Sequence, residues 1–296
     1  MAMGKTLAVV GESGCGKSML ALSIMGILPT PPALPPEGEV LYRGKNLLTL
    51  SKKEMRKVQG AKIAMIFQDP MAALNPVYTI GNQLFEAASL HLRGQEAYER
   101  VVSALKDVGM PSPEKRLHDY PHQLSGGMKQ RVMIAMALLC EPDILIADEP
   151  TTALDVTIQA QVLDLIRDLQ QRNGMAVMLI THDMGVVAEI ADDVIVMYTT
   201  RVIEKAGVRG IFDRKLHPYT QGLFASIPRI DITKGDLKPI QGFVPSVSAL
   251  PSGCHFHPRC PHVMDVCKIG PVPNIQKEEG HEVLCWLYEK SKEIES

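Results

Sequence analysis

Short apolar runs that end in glycine or polar residues alternate with segments of helical periodicity along the first two-thirds of the chain. The apolar runs predict buried strands at Thr6–Val10, Ile63–Phe67, Ile144–Ala147 and Ala176–Ile180. The periodic segments predict helices at Ser18–Leu28, through much of Met71–Arg116, at Met128–Leu139 and from Thr157 to about Gln171. This alternation predicts an α/β fold with a parallel sheet and a site at the carboxyl ends of its strands.

The regular pattern ends near residue 207. Val194–Met197 and Val202–Glu204 predict two paired strands just before that point. The following segment is rich in proline and carries four of the six cysteines. We therefore predict one domain over residues 1–206, with a helical subdomain at about 71–130, and a C-terminal extension over residues 207–296.

Charge and hydropathy narrow the class of partner. The 296 residues contain 31 Lys and Arg against 33 Asp and Glu, a formal net charge of −2. The chain therefore has no excess of positive charge that would attract nucleic acid or anionic lipid, and we expect no nucleic-acid partner. No apolar run approaches the roughly 18–20 residues of a membrane span, and the N-terminus lacks the pattern of a cleaved signal peptide.

The loop after the first predicted strand matches the phosphate-binding pattern G-x-x-x-x-G-K-[ST]. Its eight residues are Gly11, Glu12, Ser13, Gly14, Cys15, Gly16, Lys17 and Ser18. Glycines allow successive backbone N–H groups to turn inward around an anion at the N-terminus of the following helix. Lys17 is expected to reach the terminal phosphates and Ser18 to ligate Mg²⁺. The position between a strand and a helix supports this interpretation over a simple glycine-rich turn.

Two acidic residues follow the buried run Ile144–Ala147. Asp148 is expected to join the Mg²⁺ ligands, and Glu149 to activate the attacking water as a general base. An acidic strand end by itself is a weak signal, and the phosphate loop upstream is what favours the functional interpretation.

Four further segments match one family in order. Residues 124–131 (LSGGMKQR) resemble the LSGGQ signature of ABC-type ATPases. Phe67–Pro70 looks like the Q-loop of that family, Ala153–Asp155 like its D-loop, and Thr181–Asp183 like its switch-histidine loop. The resemblance runs from the first strand to about residue 205.

The resemblance implies a head-to-tail dimer that encloses ATP between two protomers. One protomer would supply Lys17, Ser18, Gln68, Asp148, Glu149 and His182. The other would supply Ser125 and Gly127 to the γ-phosphate, and Asp155 would link the two sites. His182 would contact the γ-phosphate, and Gln68 would bind Mg²⁺ or the attacking water. In isolation, His182 would be interpreted as a capped core histidine and Gln68 as a loop amide.

A narrower resemblance covers nearly the whole chain. The segments 67–76 (FQDPMAALNP), 216–220 (LHPYT), 223–228 (LFASIP) and 253–260 (GCHFHPRC) are similar to the ATP-binding subunits of dipeptide and oligopeptide importers. This implies a peripheral subunit at the cytoplasmic face of the membrane, which binds permease subunits and pairs with a paralogue or a second copy. An external solute-binding protein would be an indirect partner. Nickel and glutathione importers belong to the same subfamily and are alternatives.

Cys254, Cys260, Cys267 and Cys285 lie in one short, loop-rich segment. Their spacings match neither the usual zinc pairs nor ferredoxin sequences, but a metal could replace a missing apolar core. The resemblance implies a [4Fe–4S] cluster here. Zinc, with help from His255, His257, His262 or His281, and unligated buried thiols are the alternatives. The distance along the sequence from the phosphate motifs favours a structural role.

Two features depart from the family pattern. Only five residues precede Thr6, so we expect the upstream strands and the aromatic residue that stacks on adenine to be missing, with neighbouring strand edges unpaired. Thr199 and Thr200 occupy a turn where glycine is usual, and β-branched residues resist positive φ. The alternatives to a transporter ATPase are a soluble ABC protein of translation or DNA repair and a truncated, non-catalytic cassette.

Overall fold

The computed structural model describes residues 1–69, 73–151, 155–226 and 240–289. Its contacts divide the chain into two compact units. Unit one comprises Met1–Lys5 and Ser18–Leu179, and unit two comprises Thr6–Lys17 and the described residues of Ile180–Ser296. The phosphate loop and the C-terminal region therefore belong to the same unit. The predicted domain boundary near residue 207 stays a prediction.

The strands in chain order are β1 (Thr6–Val10), β2 (Leu41–Tyr42), β3 (Lys45–Asn46), β4 (Ile63–Ile66), β5 (Ile144–Asp148), β6 (Ala176–Ile180), β7 (Asp193–Tyr198), β8 (Arg201–Gly207), β9 (Asn274–Glu278) and β10 (His281–Leu284). The α-helices are α1 (Lys17–Ile24), α2 (Lys52–Val58), α3 (Ile80–Ser89), α4 (Gly94–Asp107), α5 (Pro113–Arg116), α6 (Gly126–Leu138), α7 (Val156–Asn173), α8 (Met184–Ile190), α9 (Val208–Asp213) and α10 (Pro218–Ala225). Short 3₁₀ helices lie at Leu47–Thr49, Pro121–Gln123, Val247–Ala249, His257–Arg259, Asp265–Lys268 and Trp286–Tyr288.

Unit one contains parallel strands and a group of packed helices. β4 pairs with β5 in parallel, with Ile63 opposite Ile144, and β6 lies on the other side of β5. α4 packs against α3 and α6, and its Leu105 is fully buried. The strands are apolar at almost every position because both of their faces are covered, as the sequence predicted.

Local capping decides where the helices begin and end. Asp155 caps α7 by accepting a hydrogen bond from the N–H of Ile158, which confirms the predicted cap. The prediction that α1 continues to Leu28 is wrong, because α1 ends at Ile24. Gly26 has φ 64°, and the N–H of Ile27 bonds to the carbonyl of Leu22, a glycine-dependent stop that acts before Pro29.

Unit two is built on β1 and the strands beside it. β1 and β7 are parallel, with Leu7 opposite Asp193, and β7 pairs with β8 in antiparallel fashion as predicted. The turn between them holds Thr199 at φ 37° and Thr200 at φ 67°, which is the strained geometry that the sequence suggested. β10 pairs with β8, and β9 continues the sheet. The edge of β8 that faces away from β7 is therefore paired, so the expectation of unpaired strand edges does not apply to β8.

An aromatic cluster attaches the C-terminal region to β7. The ring of Tyr198 lies 4.7 Å from that of Tyr219 and 5.2 Å from that of Phe256, and all three side chains are buried. Nearby, the buried carboxylate of Glu204 accepts hydrogen bonds from the N–H groups of Leu216 and His217. These contacts give a loop-rich region a fixed place beside the sheet.

Among the residues that the structure describes, no helix combines the length and the apolar character needed to cross a membrane.

A glycine substitution tests the packing of the C-terminal region. Gly253 has φ 66°, and a Cβ there would lie 2.4 Å from the carbonyl oxygen of Cys267. We expect Gly253→Ala to lower the free energy of unfolding by about 2–4 kcal/mol, from backbone strain plus steric overlap. Gly270→Ala is the matched control, because Gly270 has φ 67° with open space around it and should lose only about 1 kcal/mol. Urea unfolding measures both, and equal losses would contradict the packing described here.

Candidate functional site

The phosphate loop follows β1 and lies in unit two as far as Lys17, the first residue of α1. Gly14 and Gly16 adopt φ of 80° and 102°. Residues other than glycine rarely adopt such positive φ values, so the glycines allow the tight turn of this loop. The ammonium group of Lys17 donates hydrogen bonds to the carbonyls of Gly11 at 2.8 Å and Glu12 at 3.1 Å. The buried Lys17 therefore lies inside the loop, where a bound phosphate would need a positive charge.

The loop rests against the end of β7 and the following turn. A Cβ on Gly11 would lie 2.2 Å from the carbonyl oxygen of Met197, so only glycine fits this approach. The N–H of Thr200 bonds to the carbonyl of Cys15 at 2.8 Å. Burial raises the pKa of the Cys15 thiol despite the nearby Lys17, so this side chain is an inert filler beneath the loop.

Unit one brings together two of the predicted catalytic residues. The side-chain amide of Gln68, which is exposed just after β4, donates a hydrogen bond to Oε2 of Glu149 at 3.0 Å. Glu149 follows β5 with φ 45°, an uncommon conformation for a residue other than glycine. Asp148 is buried at the end of β5. Glu149, the predicted general base, is therefore in contact with Gln68, which is predicted to bind Mg²⁺ or the attacking water.

The signature segment begins α6. The side chain of Ser125 caps this helix by accepting the N–H of Met128. A Cβ on Gly127 would come within 3.4 Å of Ile158 in the first turn of α7, so the two helix N-termini are close. Backbone N–H groups at such termini favour an anion.

Sequence reasoning assigned no role to Gln130. This buried residue on α6 donates its side-chain amide to the carbonyl of Pro150, directly after Glu149. It therefore fixes the segment that carries the predicted base. An amide buried on an otherwise apolar helix face was the available signal in the sequence.

The remaining predicted residues divide between the units. His182 is exposed after β6, and Asp183 caps α8 beside it. Ser18 lies in the first turn of α1, and Asp155 is exposed at the start of α7. The predicted D-loop residues Ala153 and Leu154 lie outside the described residues, as do Pro70 and the end of 223–228. Of the residues predicted for nucleotide binding and catalysis, unit two holds Gly11, Ser13, Gly14, Cys15, Gly16, Lys17 and His182, and unit one holds the others.

The four C-terminal cysteines line one small cavity in unit two, with His217 and Trp286 also in its wall. Burial raises the pKa of the Cys285 thiol to about 12, and the proximity of the other three thiols raises it too. Cys267 and Cys285 are buried, whereas Cys254 and Cys260 are half-buried. Residues 254–285 thus converge on a common point, which their spacing in the sequence did not require.

Hydrogen-bond donors surround this cavity. Burial raises the pKa of the Cys254 and Cys260 thiols, and nearby backbone N–H groups, those of Phe256 and His257 for Cys254 and that of His262 for Cys260, oppose this rise. Nδ1 of His217 accepts the N–H of Tyr219, so the ring proton is on Nε2, and burial lowers the pKa of His217 to about 3. Within the described part of the chain, neither Nε2 of His217 nor Nε1 of Trp286, both buried, has a hydrogen-bond partner.

The predicted metal-binding residues form two sets, one for Mg²⁺ and one of four cysteines. Ser18, Gln68 and Asp148 offer hydroxyl, amide and carboxylate oxygens, the ligands that Mg²⁺ prefers. In the described ranges, no group of three or more His, Cys, Asp or Glu side chains could hold a metal ion. The thiols surround a cavity, and its unpaired N–H groups suit a sulfur-containing group rather than a bare ion.

Family comparisons match both parts of the chain. Residues 1–152 match the family described as ABC transporter, and residues 203–267 match the one described as oligopeptide/dipeptide transporter, C-terminal region. The dipeptide transport ATP-binding protein DppD of Bacillus subtilis is 52% identical over 98% of this chain and 87% of its own length. The oligopeptide transport ATP-binding protein AppD of the same organism is 49% identical over 97% and 88%.

Solved structures are similar over the cassette region. The chain aligns with cbiO1 of Clostridium perfringens, part of the ABC transporter complex cbiONQ, at a TM-score of 0.61 and 33% identity, covering 72% of this chain and 81% of that one. The ATP-binding cassette MJ0796, solved as a dimer in a post-hydrolysis state with ADP and Pi, aligns at 0.60 and 29% identity, covering 71% and 88%.

The contact between Gly11 and Met197 gives a test of the loop. We expect Gly11→Ala to weaken ATP binding about a hundredfold, because the added methyl must displace the loop by an ångström or more. Gly4→Ala is the control, since Gly4 also has positive φ but open space around it. Calorimetric titration with ATP measures both, and unchanged affinity in a folded Gly11→Ala protein would contradict this geometry.

Proposed function

The chain belongs to the ABC transporter ATP-binding family, and from this membership we propose that it is the ATP-hydrolysing subunit of an importer of dipeptides or oligopeptides. The observation that carries the proposal is the preformed phosphate loop, with Lys17 inside it, in a chain 52% identical to a dipeptide transport ATP-binding protein. Residues 1–206 would form the ATPase domain, with the helical part at about 71–130, and 207–296 its extension.

The residues that we assign to nucleotide binding act as follows. Backbone N–H groups of the loop from Gly11 to Gly16 surround the phosphates, and Lys17 neutralises their charge. Ser18, Asp148 and Gln68 would hold Mg²⁺, which supplies charge neutralisation on the phosphates when bound. Ser125 and Gly127 of a second subunit direct a helix N-terminus at the γ-phosphate, and Asp155 lies at the dimer contact.

Glu149 is the general base of the proposed reaction. It accepts a proton from water as that water attacks the γ-phosphorus, and ADP is the leaving group. The amide of Gln68, 3.0 Å from Glu149, orients the carboxylate and the water. His182 holds the γ-phosphate in line, and Gln130 keeps the segment after Glu149 in place through Pro150.

The transported solute and the partners come from the relatives. Relatives named for dipeptide and oligopeptide transport favour peptide over nickel or glutathione. Permease subunits would bind at the cytoplasmic face, and a groove of about 320 Å³ in unit one is suited to this contact. Its lining is almost wholly apolar, and Phe67 and Leu90 are exposed at its edge. The second ATPase subunit is a paralogue or another copy of this chain.

Removal of the base separates ATP binding from hydrolysis. We expect Glu149→Gln to abolish turnover while ATP stays bound, because the phosphate loop is unchanged and only proton transfer is lost. Gel filtration with and without Mg-ATP should show an ATP-dependent dimer, either of this chain or with its paralogue. Assembled wild-type transporter supplies the reference turnover.

Glu189→Gln is the matched control, because Glu189 is an exposed carboxylate on α8. The Glu189→Gln protein should hydrolyse ATP at the wild-type rate. Undiminished turnover in Glu149→Gln would refute the assignment of the base. A wild-type transporter that binds ATP without turnover would favour the non-catalytic cassette instead.

For the thiol cavity we propose a [4Fe–4S] cluster held by Cys254, Cys260, Cys267 and Cys285. A [4Fe–4S] cluster is held by four cysteine thiolates, and four thiols line this cavity. The ring N–H groups of His217 and Trp286, which line the cavity and have no partner among the described residues, support a sulfur-rich occupant. The cluster would supply rigid cross-linking of a loop-rich region, and one-electron redox chemistry is available to it.

Anaerobic purification tests the cluster. We expect about four iron and four sulfide per chain, lost in Cys267→Ser but retained in Cys140→Ser, whose cysteine lies outside the cavity. His217→Phe should keep the cluster and lower its reduction potential, because a hydrogen-bond donor in the cavity wall is removed. A colourless protein with zinc, or with neither metal, would overturn the proposal.

A further inference from the structure

An ion pair between Arg259 and Glu12 links the C-terminal region to the phosphate loop. Glu12 directly follows Gly11 and was given no role by the sequence. Its carboxylate accepts two hydrogen bonds from the guanidinium of Arg259, at 2.8 Å and 3.1 Å. The two residues are 247 positions apart, and a two-point contact of this kind fixes both distance and orientation.

Arg259 is held from every side. Its side chain is only 4% exposed, Nε donates to the carbonyl of Gln241, and its terminal nitrogens also reach Tyr198 and the carbonyl of Ile240. Burial opposes its charge, but the bonds and charge of Glu12 outweigh this and raise the pKa of Arg259. All three guanidinium nitrogens are occupied, so Arg259 acts on the loop through Glu12 and does not reach for a nucleotide.

Tyr219 holds the backbone of the same residue. Its hydroxyl accepts the N–H of Glu12 at 2.8 Å, and its ring is wholly buried against Tyr198 and Phe256. Burial raises the pKa of Tyr219, which keeps the hydroxyl neutral. Both the side chain and the amide of Glu12 are therefore fixed by residues of the C-terminal region.

These contacts act where the loop leaves β1. The loop must present its N–H groups in one fixed arrangement, and each anchor removes conformations that would point them elsewhere. We propose that Arg259 and Tyr219 are positioning residues for ATP binding, which they promote by fixing the phosphate loop through Glu12. This inference rests on the proposed ATPase function and assigns the C-terminal region a part in it.

A double-mutant cycle on Glu12 and Arg259 tests the proposal in the assembled transporter. Glu12→Gln and Arg259→Gln should each raise the KM for ATP about tenfold and change kcat by less than about twofold, because the loop is less preorganised. The double variant should be no worse than either single one, since each removes the same interaction. Arg259→Lys should recover part of the affinity, and Tyr219→Phe should raise the KM about threefold.

Arg214→Gln is the matched control. Arg214 pairs with Glu278 on the exposed surface of unit two, away from the loop, so its loss should leave the KM unchanged. Direct ATP titration of the full chain and its melting temperature are recorded for every variant. If Arg259→Gln does not fold, Glu12→Gln and Tyr219→Phe carry the test.

An unchanged KM in folded Glu12→Gln and Tyr219→Phe proteins, or additive effects in the cycle, would overturn the inference. Failure of the proposed function is distinguishable, because the wild-type transporter itself would then show no ATP hydrolysis. An equal rise in KM for Arg214→Gln would show that any lost ion pair has this effect, and would also refute a specific positioning role.

Discussion

A loop can bind phosphate only if several backbone N–H groups point at one place before the phosphate arrives. This geometry is unfavourable for the chain by itself, because converging N–H dipoles repel each other and the turns require positive φ. In this protein, glycines make the turns possible, and the carbonyls of Gly11 and Glu12 hold the ammonium group of Lys17 among the dipoles. The close approach of Gly11 to Met197 then sets the depth at which the loop lies.

The C-terminal region completes that arrangement. Its 3₁₀ turn at His257–Arg259 carries the guanidinium that binds Glu12, and the same turn lies between Cys254 and Cys260. His217 lines the thiol cavity, and the hydroxyl of Tyr219, two residues later, accepts a hydrogen bond from the backbone N–H of Glu12. The sequence analysis favoured a purely structural role for the cysteine segment because it is remote along the chain. The contacts at Glu12 show that this segment adjoins the phosphate loop.

Much of the fold was readable from local sequence. Each run of apolar residues at β1, β4, β5 and β6 became a buried strand, because the two-sided cover of a parallel sheet leaves no polar positions. Asp155 capped its helix as predicted, and Thr199 and Thr200 adopted positive φ at the turn. The predicted end of α1 was wrong. Pro29 is a strong helix-stop signal in the sequence, but the weaker signal of Gly26 ends the helix before Pro29 is reached.

The sequence by itself determined the order of the motifs and the family, and it supplied the residues that we propose for phosphate and Mg²⁺ binding. These depend on near neighbours in the chain, whose spacing fixes their local geometry. Only the tertiary structure decided which distant residues meet. The pairing of β8 with β10, the four thiols around one cavity, and Glu12 against Arg259 all join segments far apart in sequence. Spacing carries no information about such contacts, because the packing of buried side chains decides them.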